Sequence, residues 1–105
     1  MPHHVEQDLQ SLLLHEAAVQ LLRTDPSLTR ILIETLDRWA LRNDINSREL
    51  EERWRQIIDA QDWEAAIART EDGQQLRQAS PLATLLPDED RLAILRTAKA
   101  LSAST

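Results

Sequence analysis

Histidine is the residue type that most readily supplies a metal ligand or a general base near neutral pH, and the chain has three of them. His4 and His15 are eleven residues apart and would share a helix face. A rise of ~1.5 Å per residue separates them by ~16 Å, which is too far to share a metal ion. Asp8 adds at most an adventitious site beside His4. We therefore expect no metal and no cofactor, and we place His15 at the polar edge of the first helix.

Nucleophilic and paired-carboxylate catalysis also find little support. No histidine follows His15 to activate a serine, and the chain has no cysteine, so thiolate ligands and disulfides are excluded as well. The carboxylate pairs Glu51-Glu52 and Glu71-Asp72 and the run at 88–90 are consecutive residues, whereas catalytic carboxylates must face each other across a pocket. One glycine cannot build a phosphate-binding loop. We predict that the chain is not an enzyme and has no catalytic residues.

Composition favours helices as the elements that position these residues. The chain has 105 residues, which suggests one domain over 1–105. It contains 18 Leu, 13 Ala and 7 Ile, but only 2 Val and no Phe or Tyr. Strands favour β-branched and aromatic side chains, and hairpin turns favour glycine, of which there is one. We predict an all-α fold, a single compact bundle of about five helices with a tail that frays from about residue 102.

Caps and periodicity suggest where the helices lie. The first should cover about Val5 to Arg23, and Asp25-Pro26-Ser27 should start a second that ends near Arg42, before Asn43 and Asp44. Asn46 and Glu49 resemble a capping box for a third helix from about Ser47 to Ala60. Later starts are expected at Asp62, at Ser80-Pro81 and at Pro87. Either the fourth helix breaks at Thr70-Glu71-Asp72-Gly73, or Gly73 lies inside a helix that continues to Ala79.

Apolar periodicity predicts the core. Trp39 and Trp54 lie on the inner stripes of their helices and should be mostly buried. Charged pairs at i, i+4, such as Glu49–Arg53 and Glu51–Arg55, should face outward. The inner stripe of the last helix is predicted to be Leu92, Leu95, Ala98 and Leu101.

The first helix has more apolar residues than one stripe requires. Ridges through Leu9–Leu13–Ala17–Leu21 and Leu14–Ala18–Leu22 suffice for the core. Val5, Leu12 and Val19 remain as a line at heptad spacing, which is how helices pair across an interface. We predict that these three residues bind a protein partner or a second copy of the chain. The alternative is that the C-terminal helix folds back and buries them within the same chain.

Charge restricts the partners. The chain has 18 acidic and 12 basic residues, eleven of them Arg, for a net charge of −6. The second and third helices resemble a helix-turn-helix, but the candidate reading helix is net acidic, and phosphate binding depends on Lys and Arg. Because of the helix-turn-helix resemblance, a small DNA-binding regulator is the alternative function. Because the candidate reading helix is net acidic, direct nucleic-acid binding is not expected. Residues 1–4 carry no signal-peptide features and no apolar run reaches ~18 residues, so we expect a cytoplasmic protein that contacts no membrane.

The segment LRQASPLATLLPDEDRLAILR, residues 76–96, resembles a C-terminal signature of short, acidic, all-helical bacterial proteins. Their pattern is Leu-Arg-Gln-x-Ser-Pro, a few apolar residues, an acidic turn and a helix. The pair Arg38-Trp39 and the tryptophan Trp54 in the next helix are also similar. Some such proteins resemble the antitoxin partner of a toxin–antitoxin pair. The resemblance implies a non-catalytic protein-interaction module that binds and neutralises a basic toxin, and it assigns no residue a role.

Overall fold

Helices make up nearly all of the described chain, and no strand occurs in it. The computed structural model describes the backbone of residues 2–42 and 45–103, and the side chains within these ranges except those of 2–6, 45–47 and 83. The α-helices are α1 (Pro2–Thr24), α2 (Thr29–Ala40), α3 (Ile45–Ala60), α4 (Trp63–Ala66), α5 (Glu71–Gln78) and α6 (Asp88–Ala103). Short 3-10 turns at Pro26–Leu28 and Leu82–Leu85 precede α2 and α6. The predicted all-α class is confirmed.

Local capping accounts for the starts of the two 3-10 turns, whereas Asp62 precedes α4 without a side-chain capping bond. The Asp25 side chain accepts a hydrogen bond from the Ser27 backbone N–H at 3.2 Å, with Pro26 at the first position of the turn. The Ser80 hydroxyl accepts from the Leu82 N–H at 3.0 Å in the same way. The third helix begins at Ile45 instead of Ser47. Asn46 therefore lies inside α3 and is not its cap, while Asn43 and Asp44 lie outside the described residues.

Gly73 lies inside a helix, but that helix is separate from α4. The chain leaves its helical path after Ala66, and Thr70 starts α5 by accepting a hydrogen bond from the Gly73 N–H at 3.0 Å. A Cβ at position 73 would lie 2.3 Å from the Ala68 carbonyl oxygen. Glycine is therefore required here by the close approach of two backbone segments.

Replacing Gly73 with alanine is expected to destabilise the protein, although alanine is ordinarily better in a helix by ~1 kcal/mol. Relieving the overlap with the Ala68 carbonyl requires α5 to move, at a cost of roughly 1–3 kcal/mol. Since the gain offsets part of this cost, chemical denaturation should show a net loss of up to ~2 kcal/mol. The neighbouring exposed substitution Gln74→Ala is the control and should change stability by less than ~0.5 kcal/mol. A more stable Gly73→Ala variant would contradict the close approach.

The core forms around α1. α1 packs against α4, α5, α6 and both 3-10 turns, while α2 packs against α3. The radius of gyration is 13.9 Å, close to the ~13 Å typical of a compact domain of this length. The buried cluster joins residues from every helix except α6: Ala18, Val19, Leu22, Leu32, Leu36, Trp54, Ile57, Ile58, Trp63, Ala66, Leu76 and Leu82. Trp39 packs against this cluster but is only partly buried.

Two predicted stripes differ from the structure. The most buried line of α1 is Leu12, His15, Ala18, Val19 and Leu22, whereas the ridge through Leu9 and Leu13 is only half-buried. α6 lies along α1 and buries Ala98 fully, but Leu92 and Leu101 are 54% and 48% exposed. α6 therefore contacts the domain along a narrower stripe than its leucine content suggests. The helix continues to Ala103, past the expected start of fraying at Ser102.

Candidate interaction surface

Two of the three residues of the seam predicted on the first helix, Leu12 and Val19, are buried within the domain. Leu12 and Val19 are 8% and 1% exposed, and Val19 belongs to the central core cluster. The side chain of Val5 lies outside the described residues. Burial within the same chain is the alternative that the sequence left open. A partner could reach Val19 only if this core opened, and Leu12 exposes little surface, at the wall of a small pocket between α1 and α5. The two residues therefore do not form an exposed docking line.

The outer face of α3 carries a line of exposed acidic side chains. Glu49, Glu52, Gln56 and Asp59 follow one another at i, i+3, i+7 and i+10, so they lie on one face of the helix. All four are exposed, and they cover ~15 Å of helix at ~1.5 Å per residue. We call these four residues the acidic ridge.

The arginines in the middle of α3 form ion pairs with other helices, although Arg53 also interacts electrostatically with Glu49. Arg55 donates to Asp37 of α2 at 2.8 Å, and Arg53 pairs with Asp72 of α5. The exposed Arg48 precedes the ridge in the first turns of α3. Pairs this exposed contribute at most ~1 kcal/mol each to stability. The larger effect of these ion pairs is on the distribution of charge over α3. They direct the guanidinium groups of Arg53 and Arg55 toward α5 and α2, while the carboxylates of the acidic ridge lie along the outer face of the helix.

The expectation that Glu51 faces outward toward Arg55 is wrong. Glu51 is 8% exposed. The physical reason is its register, since it precedes Trp54 by three residues and Ile58 by seven, which places it on the inner stripe of α3. Glu51 therefore takes no part in the acidic ridge.

The helix pair α2–α3 presents the wrong charge for reading DNA. The two helices pack together, as the resemblance to a helix-turn-helix suggests. However, a recognition helix approaches phosphates with its exposed face, and three of the four ridge residues on α3 are carboxylates. The exposed charge of this face therefore differs from the basic face expected of a DNA-reading helix.

A buried polar cluster of His15, Trp54 and Arg77 lies beneath this surface, and sequence reasoning missed it. The His15 ring stacks on Trp54 with centroids 6.1 Å apart, and its Nδ1 donates to the Ser11 carbonyl at 2.6 Å. His15 Nε2 is buried without a hydrogen-bond partner among the described residues. Burial, opposed by the Ser11 hydrogen bond and reinforced by the Arg77 charge, lowers the pKa of His15 to about 4. The ring is therefore neutral at pH 7.

Arg77 and Trp54 hold α5 in place through backbone carbonyl groups. The Arg77 guanidinium donates to the Ala66 and Ala68 carbonyls at 3.1 and 2.8 Å, which completes the end of α4. The Trp54 indole Nε1 donates to the Leu76 carbonyl at 2.8 Å. Burial lowers the pKa of Arg77, and the charges of Asp8 and Glu16 oppose that shift. Since each of these contacts joins elements of the fold, we assign the cluster a structural role.

Within the described residues, no three metal-ligating side chains come together, and no helix combines the length and apolarity that crossing a bilayer requires. The acidic ridge is thus the surface feature whose chemistry is clearest. No protein-family model, no curated protein and no solved structure matches the chain.

Proposed function

We propose that this chain is a non-catalytic interaction module that binds and neutralises a basic partner in the manner of an antitoxin. The observation that carries the proposal is the acidic ridge, three exposed carboxylates on one helix face whose central arginines are paired elsewhere. The net charge of −6 also favours association with a basic partner. The resemblance of residues 76–96 to antitoxin-like bacterial proteins agrees with this role and supplies the class of partner, a toxin.

Electrostatics would act mainly on recognition. Charges arranged along a rigid helix steer an oppositely charged surface into contact and raise the association rate by roughly ten- to a thousandfold at low salt. The same charges discriminate against acidic partners and nucleic acids. An interaction of this kind is screened as ionic strength rises, because the Debye length falls to ~8 Å at physiological salt. Salt sensitivity is therefore the solution signature of the proposed function.

The experiment that tests the proposal is capture of the partner from the source cells on immobilised chain, followed by its expression alone and together with this chain. The expected partner is basic, arrests growth when expressed alone, and releases that arrest when this chain is co-expressed. A captured partner that is acidic, or that leaves growth unaffected in both settings, contradicts the antitoxin role.

Neutralising the acidic ridge is expected to weaken partner binding. The triple variant Glu49→Gln, Glu52→Gln, Asp59→Asn should slow association roughly tenfold at low salt and flatten its salt dependence, with a smaller change in dissociation. Stopped-flow or surface-plasmon measurements at several ionic strengths would separate the two rates.

The matched control changes the same net charge at another place. Asp88, Glu89 and Asp90 are exposed in the first turn of α6, and their replacement by Asn, Gln and Asn also removes three negative charges. If both triple variants slow association equally, net charge alone attracts the partner and the ridge is not the docking face. Circular dichroism would verify that both variants remain helical.

A further inference from the structure

A groove of about 480 Å³ runs beside the acidic ridge, between α3 and the segment from α4 to α5. Its size falls within the ~300–1,000 Å³ typical of ligand-binding clefts. Its apolar surface comes from two large buried side chains and from small residues: Ile57, Leu76, Ala60, Ala65, Ala68 and Gly73. Gln56 belongs both to the ridge and to the groove lining. The acidic face and the groove are therefore continuous.

Small side chains keep this groove open. Three alanines and the single glycine occupy its walls, where larger residues would fill the space. The Gly73 backbone lies directly against the Ala68 carbonyl, where a Cβ would not fit, so these two segments form a closely packed wall on the α5 side of the groove. On the opposite side, Gln61 adopts φ of 54°, which ends α3 and turns the chain so that Ala60 and Asp62 both line the groove.

The charges at the groove select a positive occupant. Asp62 and Asp72 line it and are exposed, and the one arginine among the lining residues, Arg53, is already paired with Asp72. The acidic ridge adds three further carboxylates next to Gln56. A second copy of this chain, with its net charge of −6, would meet repulsion here. A basic segment would find both charge complementarity and an apolar pocket.

We infer that this groove is the docking site for the basic partner, which inserts a large apolar side chain between α3 and α5 while flanking Lys or Arg residues contact Asp62 and the acidic ridge. The inference rests on the proposed function and adds to it the place and the side-chain chemistry of docking. Such an arrangement matches the general form of interfaces, in which an apolar anchor fills a pocket and charged residues surround it.

The groove is tested with defined peptides and the full chain. The probe is a helical peptide of about four turns with Leu at i, i+3 and i+7 and Lys at most other positions. A second peptide replaces Leu with Ala, and a third replaces Lys with Glu. Titrations are followed by the backbone amide NMR signals of the protein, among which Gly73, as the only glycine, is readily identified. We expect the Leu/Lys peptide to shift the Gly73, Ala65 and Ala68 signals, and to bind at least ~10-fold more tightly than the Ala/Lys peptide.

Filling the groove provides the matched variant. Ala60→Trp places a large side chain in the groove from an exposed position, and Ala100→Trp makes the same change on the exposed face of α6. Ala60→Trp should weaken binding of the Leu/Lys peptide and of the captured partner ~10-fold or more, and Ala100→Trp less than ~2-fold. Circular dichroism and thermal melting confirm that each variant is folded.

The outcomes separate this inference from the proposed function. Two results would contradict docking in the groove: equal binding of the Ala/Lys and Leu/Lys peptides, or equally tight binding of the partner by the Ala60→Trp and Ala100→Trp variants. Neither result would contradict binding of a basic partner to the acidic ridge. If the Lys-to-Glu peptide binds as tightly as the Leu/Lys peptide, the charge argument at the groove fails. The proposed function itself would be contradicted by the captured partner, if that partner proved to be acidic or had no effect on growth.

Discussion

Replacing Trp54 with alanine is expected to lower the free energy of unfolding by roughly 3–5 kcal/mol, a large share of the stability of a domain of this size. Trp54 is 0% exposed and lies in the central cluster. Its removal would leave a cavity, take the stacking surface from His15, and leave the Leu76 carbonyl without its indole donor. Denaturant titration followed by circular dichroism measures the loss.

Two further substitutions separate the contributions. Trp54→Phe keeps a ring but removes the hydrogen bond to the Leu76 carbonyl, which still accepts from the Ala79 N–H at 3.3 Å, and should therefore cost only about 1 kcal/mol for the lost bond. Trp39→Ala truncates a side chain that is only partly buried, and should cost about 1–2 kcal/mol. A loss at Trp39 as large as that at Trp54 would mean that Trp54 does not occupy the centre of the core.

The helix starts at Asp25 and Ser80 could be predicted because their causes are local. Asp25-Pro26-Ser27 and Ser80-Pro81 each place a capping oxygen next to a fixed backbone angle, and the structure uses both. The cap assigned to Asn46 is wrong because α3 begins one residue earlier, at Ile45. Local signals leave Gly73 undecided. Its requirement comes from the Ala68 carbonyl, a contact that depends on how two short helices meet.

Burial on α1 could not be read from its own pattern, because the helix is apolar on more than one side. Which side becomes innermost depends on the directions from which α5 and α6 approach it. His15 does carry a sequence signal for burial. It lies three residues after Leu12 and four before Val19, on the line that the structure buries most deeply. Its residue type suggests the polar edge of the helix, whereas its register indicates the core, and the register decides.

The candidate surface was partly predictable. The net acidity of the third helix is visible in the sequence, and the position of Glu51 on an inner stripe is visible as well. The pairing of Arg53 with Asp72 and of Arg55 with Asp37 is not, because these partners are 19 and 18 residues apart and meet only in the folded chain. The groove likewise needs α3 and α5 to be placed side by side. Its small lining residues look like ordinary helix formers in the sequence.

Stability is expected to fall as the pH is lowered from 6.5 to about 4, and His15 is the cause that the structure identifies. Burial lowers the pKa of His15 from 6.5 to about 4, so the unfolded chain binds a proton in this range that the folded chain excludes. Stability then rises with pH across the window and is fully present above 6.5. The slope is at most ~1.4 kcal/mol per pH unit, and the total is roughly 3 kcal/mol.

The variant His15→Leu isolates this contribution, because leucine has similar volume and does not titrate. Its unfolding free energy should lose most of the pH dependence between 6.5 and about 4 that the parent protein shows. At pH ~7.5 the variant should be within ~1 kcal/mol of the parent, since removal of the buried, unpaired Nε2 is offset by loss of the Nδ1 hydrogen bond to Ser11 and of the stacking on Trp54. The physical cost in acid is a protonated Nε2–H that finds no acceptor, beside the positive charge of Arg77. Parallel stability–pH curves for the two proteins would show that His15 is accessible to solvent or finds a counter-ion when protonated, and the assignment of a buried neutral ring stacked on Trp54 would then be wrong.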